Sequence, residues 1–158
     1  NRHMFERLAD EVCSDVGFRC VRPSYELADF GGTMLYSILI FGEEGTFDQL
    51  SEDEQAAVMS KHYALQGRLA EEKQNGPAAK LHATATAVTL REQGGVPVVT
   101  DGPFVETKEH LLGFYTMECN TIEEAIEAAK LLPLDIASVE VRPISWFGPG
   151  QVTASEDD

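Results

Sequence analysis

The run TMLYSILIF, residues 33–41, is short, apolar and rich in aromatic and β-branched side chains, and Gly42 closes it. Such a segment reads as a buried strand. Its alternation sets Leu35, Ser37 and Leu39 on one side and Tyr36, Ile38 and Ile40 on the other, so both faces of its sheet carry apolar surface.

Downstream, Ser51-Glu52-Asp53-Glu54 has the form of a capping box, with three acids that suit the positive end of a helix dipole. Val58, His62, Leu65 and Leu69 follow at spacings of 4, 3 and 4, one apolar stripe of a helix of about six turns. Asn75-Gly76-Pro77 is the expected stop. HATATAVTL, residues 82–90, alternates and predicts a strand. Gln93-Gly94-Gly95 then predicts a hairpin turn into 96–100. LGFYTMEC, residues 112–119, predicts the next strand. Asn120-Thr121 followed by Glu123 and Glu124 predicts a second helix with Ile122, Ala125, Ile126 and Ala129 on its buried face and Pro133 beyond its end. SVEVRPI, residues 138–144, predicts a last strand at a sheet edge, because Pro143 cannot donate to a ladder; Glu140 and Arg142 fall on one face of it and can pair. The order β-α-β-β-β-α-β predicts an α+β sandwich, a mostly antiparallel sheet with both helices on one face. Two helices cannot cover both sides, and a second copy of the chain is the expected cover: a homodimer.

A chain of 158 residues is expected to form one main domain. Its 12 Lys and Arg against 27 Asp and Glu give a formal charge of −15, a field that repels nucleic acid and anionic membrane surfaces. Cys13, Cys20 and Cys119 form no CxxC pair and read as free thiols in a reducing cytoplasm. No apolar run approaches the roughly 20 residues a membrane helix needs. Asn1-Arg2-His3 reads as a cloning remnant, and residues 1–33 as that remnant plus an N-terminal extension, in which Phe5, Leu8, Val12 and Val16 keep a rough helical spacing up to Gly17. Residues 34–147 form the domain, and 148–158 an acidic tail after Gly148-Pro149-Gly150.

MLYSILIFGEE, LHATATAV, VVTDGPFVETKEHLLGFY, IEEAIEAAKLLP and SVEVRPI together resemble the YCII-related family, in the branch named for the DGPF tetrapeptide. The resemblance implies a ferredoxin-like subunit that pairs into a dimeric α/β barrel, with a His–Asp pair in the cleft between subunits. It implies His62 as the histidine. The family's aspartate falls where this chain has Leu132, before Pro133; Asp135 is offset from that position, which leaves Asp101 as the substitute.

Asp101-Gly102-Pro103 first of all turns the chain, Gly102 supplying backbone freedom and Pro103 a fixed φ. Phe104 is then either a packing residue or a wall of the cleft. Lys108 either joins an ion-pair cluster with Glu106 and Glu109 or stands at a pocket mouth to bind a carboxylate substrate. His82 and His110 lack metal-ligand spacing, so no metal is expected, and no cofactor. Two functions follow as expectations. One is a small-molecule enzyme in which His62 moves a proton and Asp101 orients it, with Phe104 and Lys108 holding an unknown ligand. The other is a regulatory module that binds a ligand or protein without chemistry, linked to sigma-factor-type transcription regulation, as the genomic setting of the DGPF branch implies.

Overall fold

A computed structural model describes residues 32–148. The chain divides into two units, one spanning Gly31–Pro143 and one made of Asn1–Phe30 with Ile144–Asp158. Of the second unit, residues 144–148 are described, and they hold no helix or strand. The helical stripe expected around Phe5 to Val16 and the acidic tail beyond Gly148 lie outside the described residues.

In the first unit β1 (Met34–Gly42) leads through a short 3₁₀ turn at Phe47–Gln49 into α1 (Glu52–Glu71), then β2 (Asn75–Lys80), a hairpin of β3 (Val88–Gln93) and β4 (Val96–Asp101), β5 (His110–Cys119), α2 (Ile122–Ala129) and β6 (Ser138–Pro143). Four strands form an antiparallel sheet in the order β2-β5-β1-β6, and β3 with β4 forms a separate two-stranded ribbon. The expected α+β architecture is present. Two strand-helix-strand passes in that order are compatible with a ferredoxin-like fold, the ribbon being inserted between β2 and β5.

The capping box forms as expected: Ser51 accepts from the Glu54 amide, and Glu54 reaches back to the Ser51 N–H at 2.8 Å. Leu65 and Leu69 from α1, and Ala125, Ala128, Ala129 and Leu132 from α2 and the turn after it, bury against Tyr36, Ile38 and Ile40 of β1. Ile38 and Leu65 are wholly buried, and each such side chain contributes about 1.5–3 kcal/mol on leaving water. The sheet's other face carries the odd positions of β1, Leu35, Leu39 and Phe41, which are only partly buried. Arg142 and Glu140 pair there at 3.3 Å, as their spacing predicts.

Three expectations need correction. The helix does not stop at Asn75-Gly76-Pro77. It ends in a left-handed residue, Lys73 at φ 55°, with the Gln74 amide bonded to the Leu69 carbonyl and the Lys73 amide to that of Ala70, the Schellman pattern with lysine where glycine usually stands. Asn75-Gly76-Pro77 instead opens β2, where a register shift between Asn75 and Ala78 accommodates the proline on an edge strand.

Residues 82–90 do not form one strand. Thr84 donates its amide and hydroxyl to the Glu44 carboxylate, and the Thr86 hydroxyl donates to the Ala83 carbonyl. The long-range anchor on Glu44 and the local Thr86–Ala83 bond support a 3₁₀ turn at Thr84–Thr86, and extended structure resumes only at Val88. Finally, Ile126 is 39% exposed. It stands about 100° round the helix from Ala125, so the alanines, not the isoleucine, seat α2 on the sheet. The hairpin, the edge position of β6 and the helix stop before Pro133 agree with the sequence reading.

Candidate functional site

His62 lies in the middle of α1, on the stripe that buries Val58, Leu65 and Leu69, and is itself half-buried. Across from it stands Tyr115 of β5, whose register partner is the buried Ile38 and whose side chain therefore rises on the helix-covered face. Nδ1 of His62 and the Tyr115 hydroxyl oxygen are 3.0 Å apart, and the two rings are tilted by 31°. One turn further along α1, Gln66 donates from Nε2 to the same hydroxyl at 3.1 Å. The hydroxyl oxygen has two lone pairs, one for Gln66 and one for His62 Nδ1–H, and in that tautomer Nε2 of the neutral imidazole carries the free lone pair. Burial, assisted by the charge of Lys80, holds His62 below its ordinary pKa of 6.5. The imidazole at neutral pH is thus a base with one nitrogen fixed by a phenol and the other not used by this network.

Lys80, the last residue of β2, pairs with Gly113 in the register and holds its ammonium 5.9 Å from the centre of the Phe47 ring.

None of the other expected site residues is bonded to His62 among the described residues. Asp101 ends β4 opposite Val88 and is exposed. No hydrogen bond or ion pair joins it to His62. Gly102 takes φ 91°, as the turn requires. Phe104 is 71% exposed and is not a core residue; its carbonyl accepts from Arg91 Nη2 at 2.5 Å.

Lys108 lines an open groove of about 910 Å³ with Phe41, Glu109, Leu134, Asp135 and Ser138, at a wall to which His62 does not contribute. The expected ion-pair cluster of Glu106, Lys108 and Glu109 is not formed among the described residues; Glu109 instead accepts from the Ser138 hydroxyl. Asp135 binds Lys61 at 2.7 Å, which lowers its pKa. Leu132 is 2% exposed, an apolar core residue where the resemblance places a carboxylate.

Sequence reasoning missed Tyr115, Gln66 and Lys80. Two signals were available: Gln66 follows His62 by four, one turn on the same face, and Tyr115 falls in phase with the buried Met117.

The YCII-related domain matches residues 34–148 of this sequence, and the chain belongs to that family. An uncharacterised protein of Rhizobium meliloti (strain 1021) is 39% identical over 122 residues, which cover 75% of this chain and 98% of the relative. Among the described residues no helix is long and apolar enough to cross a membrane.

Proposed function

We propose that this YCII-related chain is a homodimeric small-molecule enzyme that works by proton transfer at His62 without a cofactor. The observation that carries the reading is the His62–Tyr115–Gln66 chain, which orients a half-buried imidazole whose pKa is depressed and whose Nε2 this network does not use. A base so held accepts a proton at neutral pH without first losing one. In this reading Tyr115 takes the orienting role expected of Asp101, and Asp101, Phe104 and Lys108 act, if they touch the ligand, from the hairpin and the loop after it in the assembled dimer. The partly exposed apolar sheet face supports the pairing.

The test is reaction-blind. Small lactones, ketones and carboxylic acids are incubated with the protein in D₂O, and deuterium uptake at acidic C–H positions is followed by NMR. Exchange above buffer that is lost in His62→Asn is the expected result. Exchange that His62→Asn leaves intact, or none at all, removes the reading.

A second reading, a regulatory module that binds a protein partner, has one observation in its favour: Leu90 and Val99 are paired on one face of the hairpin, 68% and 61% exposed. Retention of a specific partner by His62→Asn protein that shows no exchange activity supports it over catalysis.

A further inference from the structure

In the regular part of β2, Ala78 lies opposite Tyr115 and Lys80 opposite Gly113. The period of two therefore puts the Lys80 and Tyr115 side chains on the same face of the sheet, as diagonal neighbours about 7–8 Å apart at their Cα atoms, within reach of long side chains. That face is the one α1 covers with His62. A cation, a phenol and an imidazole thus share one face at one sheet edge.

Among the described residues Lys80, with Lys73, Arg91 and Lys108, forms no ion pair. Acidic residues outnumber basic ones by 27 to 12, and the described ion pairs engage Lys61, Arg68, Lys130 and Arg142. Among the described residues Lys80 pairs with no carboxylate; its ammonium rests over the Phe47 ring, a contact that holds a cation without neutralising it. A positive charge near an imidazole opposes the protonation of that imidazole, and the Lys80 side chain is exposed to an incoming anion. An anion there gains a charge-assisted contact to the ammonium and lies next to a base that is still neutral.

We propose that Lys80 binds the carboxylate of the substrate in the His62 site, so that the substrate class is a small carboxylic acid. This rests on the reading of His62 as the centre of a small-molecule site. The carboxylate anchors on the ammonium, and the acidic hydrogen of the same molecule is presented to the imidazole. Phe47 positions the ammonium and does not touch the ligand.

The test is a binding measurement on the full chain with benzoate and its uncharged isostere benzamide as probes, followed through the imidazole signals of His62 and the ring signals of Tyr115. Benzoate should move both sets of signals and benzamide neither. Lys80→Gln should weaken benzoate binding by about tenfold or more, as loss of a charge-assisted contact does, while Lys80→Arg restores it; an unchanged amide spectrum away from β2 shows that the variants fold. Equal responses to benzoate and benzamide, no response to either, or undiminished benzoate binding by Lys80→Gln overturns the proposal. The outcome separates from that of the proton-transfer reading. Deuterium exchange that depends on His62 but not on Lys80 leaves catalysis standing and removes the carboxylate anchor, whereas Lys80-dependent benzoate binding without exchange does the reverse.

Discussion

At the scale of single residues, His62 and Tyr115 have consequences that solution measurements can read. The folded pKa of His62 is depressed below 6.5. As pH falls, the unfolded chain takes up the proton first, so stability present above the ordinary histidine pKa is lost as pH drops through the folded value. The urea midpoint should decline on the acid side of neutrality, and His62→Gln should flatten that part of the profile. Tyr115→Phe removes the hydroxyl that meets both His62 and Gln66 and should cost about 1 kcal/mol in the same denaturation assay.

Gly76 is a packing constraint: a Cβ there would collide with Oγ1 of Thr116, which is committed to the Pro77 carbonyl at 2.6 Å. Gly76→Ala should lower stability by about 1–3 kcal/mol, whereas alanine at Gly67, where nothing lies within 4 Å, should not. His62 was legible in the sequence because it sits on a helical stripe. Its partner was not, since a contact spanning 53 residues leaves no trace in local periodicity.

At the scale of elements, α1 shows what local chemistry decides. Its start was readable to the residue, because a capping box is a signal within four consecutive residues, in which the Ser51 and Glu54 side chains satisfy each other's backbone N–H. Ser51→Ala should lower stability by about 1 kcal/mol, measured by chemical denaturation. The end of α1 was misplaced because a lysine in the left-handed region has no sequence signature. Lys73→Gly should therefore stabilise the protein, by about 1 kcal/mol, through relief of that conformation. The threonine-rich stretch after β2 failed for a related reason: alternation predicts a strand, but Thr84 and Thr86 use their hydroxyls on nearby acceptors, and that competition is invisible to a pattern of polar and apolar letters. The hairpin was legible from its two glycines, yet nothing in the sequence said that it would stand apart from the main sheet.

At the scale of the whole molecule, the layer arrangement followed from the order of elements, while the sheet order required the structure. β1 is central, with β5 and β6 on its two sides, so its apolar residues on both faces make sense. One face is sealed by the helices. For the proposed homodimer, light scattering should give the mass of two chains at micromolar concentration. Where the hairpin joins the interface, Leu90→Thr with Val99→Thr should raise the dissociation constant by about tenfold or more without loss of far-UV circular dichroism. The first and last strands of this unit also lie side by side, with Tyr36 opposite Pro143. A short linker could therefore join the two ends of the unit, and the chain could be reopened at Gly94-Gly95 in the ribbon, which takes no part in the four-stranded sheet. Such a circular permutant would keep every rung of the main ladder, and the ribbon turn is accordingly the natural place to splice in a reporter or a second domain.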